Sequence, residues 1–160
     1  MHPTVARVVE TLTAAGWRGE VRMIDDGART AAEAAAGLGC DVGAIASSLV
    51  FTAGSADGAR EPLLVLTSGA HRVDTGAVAA LLGVDRVERA PAALVREATG
   101  YAIGGVAPVG HPRPMRTLVD VDLGRHDVVW AAAGHPHAVF PTTYEQLLRL
   151  TGGTPAQVAG

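Results

Sequence analysis

The chain has 160 residues, 48% apolar and 18% charged, a balance that supports a buried core and excludes a disordered protein. Its net charge of −3 comes from 13 basic and 16 acidic residues; all the basic ones are arginines, scattered singly from Arg7 to Arg149, which excludes the dense basic stripe of an extended duplex-binding surface but not contact with one end of a nucleic acid. No apolar run reaches the roughly 18 residues of a membrane span, MHPTVARVVE lacks a secretory layout, and the lone Cys40 excludes an internal disulfide, so one cytoplasmic domain spanning 1–160 is expected.

Val5, Val8, Val9 and Leu12 recur at helical spacing, with Gly16 as the stop. EVRMI (20–24) reads as a strand closed by the turn Asp25-Asp26-Gly27. Thr30 stands three residues before Glu33, the spacing of reciprocal capping, so a second helix starts there and ends at Gly37 or Gly39. Asp41 suits the cap of a short third helix through VGAIAS, which puts Ser47 and Ser48 of IASSLVF at a helix–strand junction. They have no GxSxG context and no recognisable base, so the pattern reads them as helix-end hydroxyls.

SLVFTA and PLLVLTSG form a predicted hairpin around GSADGARE. Asp74 caps TGAVAALLG and Pro91 opens AALVREATG, predicting two helices in succession. YAIGGVAPVG reads as two glycine-rich strands, followed by strands in MRTLVDVDL, DVVWAAAG and HAVF. Asp120 and Asp122 alternate with apolar residues as on a strand with one wet face. Thr142 and Glu145 repeat the capping spacing ahead of a last helix that ends at Gly152 or Gly153. Successive strands joined by short turns argue for an α+β fold with a mixed or antiparallel sheet.

Glycine weakens a strand and marks a bulge or a close approach by another backbone or a ligand, so the four glycines of residues 100–110 and the AAAG of 131–134 are the candidate site segments. The first fits neither common phosphate loop. Exposed amides at the second could polarise a carbonyl, an effect of about 3 kcal/mol per donor in acyl transfer. His111, His135 and His137 raise the question of a metal, but no carboxylate is near in sequence and HExxH is absent, so neither metal nor cofactor is expected. Cys40 neighbours Asp41, a setting for an inert thiol.

Taken in order, RTAAEAAAGLGCDVGAIASSLVF, ATGYAIGGVAPVGHP, TLVDVDL, VVWAAAGHPH and PTTYEQLLRLT resemble the YbaK/EbsC family of aminoacyl-tRNA deacylases, relatives of the editing domain of prolyl-tRNA synthetases. The resemblance runs from about residue 20 to the C-terminus. It implies a mixed, partly closed, barrel-like sheet flanked by helices, and hydrolysis of the ester on a mischarged tRNA 3′ end, mostly by backbone groups. It implies that Gly104 and Pro108 end a loop beside the ester, that Gly134 offers an amide to the substrate carbonyl, and that Thr30 borders the pocket. Gly105, His111 and His135 follow as candidate substrate contacts. Family members read IxKSLVF where this chain has Ser47, so an arginine such as Arg29, Arg72 or Arg113 would have to supply the cation, or the substrate differs. The implied function is a freestanding deacylase acting on the tRNA 3′ end, without membrane or extended-duplex partners; the alternative is a catalytically silent binding module. Monomer and homodimer both stay open. Gly134→Pro is expected to delete the amide and leave the fold intact.

Overall fold

A computed structural model of the chain describes residues 2–24, 30–55 and 57–159. The order is α1 (Pro3–Ala14), β1 (Arg22–Met23), α2 (Ala31–Leu38), β2 (Ile45–Gly54), β3 (Arg60–Ser68), α3 (Thr75–Leu82), β4 (Arg86–Arg89), α4 (Ala92–Thr99), β5 (Arg116–Asp120), β6 (Val129–His135), β7 (Ala138–Thr142), α5 (Tyr144–Thr151) and β8 (Thr154–Ala156). The sheet is mixed: β2–β3, β2–β4, β1–β7 and β6–β7 pair antiparallel, while β2–β6, β3–β5 and β5–β8 pair parallel. Strand order is β1-β7-β6-β2-β3-β5-β8 with β4 also on β2, and the path is unclosed. This is the α+β class expected, with helices flanking the sheet.

Alternation along β2 separates two cores. Ala46 and Val50 pack with Val5, Val8 and Leu12 of α1, Val95 of α4 and Phe140 of β7. Phe51 and Ala53 face the other way, onto Val78 and Ala79 of α3. Ile45 and Val139 meet Ala35 and Leu38 of α2 in a third, smaller cluster. Trp17 ties α1's exit to β7 by donating from Nε1 to the Pro141 carbonyl at 2.8 Å. No helix among the described residues is long and apolar enough to cross a membrane.

Several sequence expectations are corrected. The third helix is a single 3-10 turn, Val42–Ala44, and IASSLVF is strand throughout. A helix of five or six residues cannot repay its nucleation, whereas Ala46 gains strand partners on both edges and Ile45 on one. YAIGGVAPVG forms no strand: it is a chain of turns, closed on itself where the buried Tyr101 hydroxyl donates to the Val109 carbonyl at 2.8 Å. Strand β5 stops at Asp120 and a 3-10 turn, Val121–Arg125, follows, so the aspartates do not share a wet face. The last helix is capped by Thr143, whose hydroxyl accepts from Gln146 N, one residue later than expected. EVRMI shrinks to Arg22–Met23, and the turn at 25–27 lies outside the described residues. Strands β4 and β8 are additions that the sequence did not announce.

Candidate functional site

The sheet contains a gap, and the gap is the candidate site. On one side β2 pairs continuously with β3 from Ala46 to Gly54. On its other edge β6 covers Ile45 and Ala46, and β4 covers Phe51 to Gly54. Between them, among the described residues, no strand pairs with 47–50. The Ile45 carbonyl accepts from Gly69 N at 2.8 Å on the β3 side, and the Val50 carbonyl accepts from Ala90 N at 3.0 Å on the opposite side. Main-chain groups alternate along a strand, so Ser48, in step with Val50, presents its N–H and C=O to the gap. Its Oγ is also buried, with no partner among the described residues.

A cavity of about 420 Å³ occupies this gap, a volume typical of small-molecule sites. β2 floors it from Ile45 to Val50. One wall holds Thr30, Ala31 and Ala34 at the start of α2; another holds Ile103, Gly104 and Val106; a third holds Ala132, Pro136 and His137. The glycine loop and the β6–β7 turn are in contact: a Cβ added to Gly105 would lie 3.0 Å from His135 Cα and 3.1 Å from Pro136 Cδ. Only glycine permits that approach. Gly104 (φ 89°) is exposed and faces Pro136.

Among the residues singled out in the sequence, Ser47, Ser48, Thr30, Gly104 and His137 line the cavity. Thr30 Oγ1 accepts from Glu33 N at 3.1 Å, so its hydroxyl also caps α2. Gly105 and Pro108 are buried beside the lining rather than in it. Gly134 sits in the bulge of the β6–β7 pairing with φ 95°, and a Cβ there would lie 2.9 Å from Val8 Cγ2 and 3.2 Å from the Thr4 carbonyl oxygen. Its bare Cα therefore admits helix α1. Proline, fixed near φ −65°, cannot occupy this position, so Gly134→Pro would break the fold rather than delete one amide cleanly. His135 Nδ1 accepts from His137 N at 3.1 Å inside the turn. His111 is apart from the lining: its Nε2 donates to the Ala107 carbonyl at 2.8 Å, its ring packs edge-on to Tyr101, and burial pushes its pKa down.

Among the described residues, His111, His135 and His137 belong to no cluster of three potential metal ligands. The described residues that bring three ligand atoms within 4.8 Å are His71, Asp120 and Asp122. The Asp120 carboxylate accepts from Ser68 N at 2.9 Å and Asp122 N at 3.0 Å and meets His71 Nε2 at 2.5 Å; His71 Nδ1 faces Asp122 at 3.4 Å. Both ring nitrogens are thereby engaged, and the group clamps the end of β3 to the end of β5. Cys40 has a pKa raised by burial and then by Asp41, as an inert thiol should.

A family model of the aminoacyl-tRNA editing domain matches residues 25–150. The chain belongs to the aminoacyl-tRNA editing domain family. One solved structure, described as a candidate trans-editing enzyme for prolyl tRNA synthetase, is 40% identical with a TM-score of 0.90, covering 100% of this chain and 99% of that one. A scaffold protein used for computational epitope grafting is 37% identical, also with a TM-score of 0.90 and the same coverage. The uncharacterized protein YwhH of Bacillus subtilis (strain 168) is 27% identical over 128 residues, 80% of this chain and 78% of its own. The editing-domain cavity here also holds a residue that sequence reasoning missed. Arg72 and Arg113 do not line it, and Arg29 lies outside the described residues, but Arg89 does line it. Nothing in RVERAP signals this, because it depends on β4 pairing with β2.

Proposed function

We propose that the chain is a freestanding aminoacyl-tRNA deacylase, hydrolysing the ester between a mischarged amino acid and the terminal ribose. The observation that carries this is the composition of the cavity: a main-chain edge at Ser48, a bare glycine loop, and no carboxylate among its described lining residues. Such a site lacks the paired acid and base that amide hydrolysis requires. An aminoacyl ester is far more labile, and positioning alone can supply roughly 7 to 11 kcal/mol of a barrier. Water is the nucleophile in this reading. Main-chain donors at Ser48 and Gly104 hold the ester, and Gly134 sets the bulge that brings the 136–137 turn against the glycine loop. Thr30, Pro108, His111 and His135 support these walls.

The same absence of a carboxylate among the described lining residues favours a second reading, a module that binds an aminoacylated 3′ end without hydrolysing it. A deacylation screen against tRNAs mischarged with several amino acids separates the two. It should be run with the parent and with Ser47→Lys, beginning with tRNAs for proline. Faster loss of the acyl group in at least one pairing supports the deacylase, with Ser47→Lys raising the rate where anchoring limits it. Tight binding with no acceleration by either protein would establish the silent module instead.

A further inference from the structure

Among the described residues that line the cavity, Arg89 is the only one with a fixed charge, and no carboxylate lines it. Its neighbours on β4 are differently employed. Arg86 and Arg60 both reach Glu88, at 3.6 and 3.0 Å, and Arg86 and Glu88 alternate with Val87 and Arg89 along the strand. Arg89 has no carboxylate at ion-pair distance among the described residues; its guanidinium lies 5.7 Å over the Phe51 ring. A ring face orients a guanidinium while leaving its forked N–H donors open to an oxyanion. Its root is fixed, because the adjacent Ala90 N–H is bonded to the Val50 carbonyl at the end of the gap. Arg89 is opposite Phe51 in register and therefore leaves the sheet on the face of residues 47, 49 and 51. It is exposed, so the charge stands at the rim.

The geometry points to Arg89 as a binding site for the phosphate of the nucleotide that carries the acyl group. The choice of anion follows from the chemistry of the ligand. In an aminoacyl nucleotide whose amino acid has no acidic side chain, the carboxyl is consumed in the ester and the ribose hydroxyls are neutral, so phosphate is the one anion left to meet a lone cation. A guanidinium at the rim draws that phosphate to the cavity edge and points the ester-bearing ribose inward, toward Ser48. This rests on the deacylase reading of the cavity and names what anchors the substrate there.

Two probes test it: 3′-alanylamino-3′-deoxyadenosine, whose amide cannot be hydrolysed at this site, and the same molecule with a 5′-phosphate, each titrated by NMR. The parent should bind the phosphorylated probe about tenfold tighter, the scale of one charge-assisted contact. Arg89→Ala should erase that preference, Arg89→Lys should keep part of it, and Arg86→Ala, outside the cavity, should keep all of it. Thermal melts confirm that each variant is folded. A phosphate preference that survives in Arg89→Ala, or is missing in the parent, overturns the assignment alone. If the parent binds neither probe, the deacylase reading falls and the assignment with it. N-acetylalanine provides the other anion source: Arg89-dependent binding of this free carboxylate, equal to that of the phosphorylated probe, would overturn the choice of phosphate.

Discussion

Replacing Gly105 by alanine tests whether the close approach of two walls shapes the site. The added Cβ would stand 3.0 Å from His135 Cα, 3.1 Å from its carbonyl carbon and 3.1 Å from Pro136 Cδ. All three belong to a turn that cannot swing aside as a flexible side chain would, so the walls must part by a few tenths of an ångström. Overpacking of this kind costs about 1–3 kcal/mol, and each kcal/mol lowers Tm by about 2–4 °C for a chain of this size. A 1 Å misplacement of reacting groups can cost about 100-fold in rate, so a shift of tenths predicts a loss of roughly three- to tenfold in kcat/KM for deacylation. Gly83→Ala is the control. It has φ +69° and nothing within 4 Å of the added Cβ, so it pays only the left-handed backbone cost of about 1–2 kcal/mol. Both variants should melt lower by similar amounts, and only Gly105→Ala should slow hydrolysis. Equal rates in the two variants would refute the idea that this contact sets the cavity's geometry.

Ser48→Ala removes a buried hydroxyl that has no partner among the described residues; Tm should stay within the equivalent of about 1 kcal/mol of the parent or rise, while deacylation falls if Oγ meets the substrate. An unchanged rate would confine the role of Ser48 to its main chain. His111 has its folded pKa lowered by burial, although its bond to the Ala107 carbonyl works the other way. The unfolded chain therefore takes up a proton at higher pH than the native one, and this stabilisation is present above pH ~6.5 and lost as pH falls through the depressed value. His111→Gln should flatten that acid-side loss in a series of melts from pH 7.5 to 5; a variant that tracks the parent in parallel would show that His111 does not drive it.

The hairpin, helix α1, the Thr30 and Asp74 caps and the α+β class were legible because local periodicity and capping decide them. What was not legible depended on long-range pairing. Ser47 and Ser48 look helical in a run of small residues, and their pairing with Thr67 and Leu66 of β3 makes them strand. Arg89 looks like surface charge until β4 is laid against β2. Asp120 looks wet, yet it is 1% exposed and fastened to Ser68, Asp122 and His71. The glycine signal was informative but composite. Gly134 admits helix α1, Gly110 admits the Tyr101 hydroxyl, and Gly105 admits the β6–β7 turn. Of these three contacts, the one at Gly105 lies directly between two walls of the cavity.

A floor made from a strand edge also explains why the chain can carry serine at position 47. Main-chain N–H and C=O groups are present whatever side chain they bear, and parity assigns the gap-facing pair to Ser48, not Ser47. Residue 47 projects to the other face of the sheet, the face from which Arg89 rises opposite Phe51. Under the proposed deacylase reading, a change at 47 alters how a charged ligand is anchored and leaves the groups that would hold the ester in place. Anchoring by one cation can move to another position on the same face, because Coulombic attraction at an exposed rim is tolerant of a few ångströms in a way that a backbone hydrogen bond is not. In this chain the hydrogen-bonding geometry belongs to β2 and the glycine loop, and the charge belongs to β4.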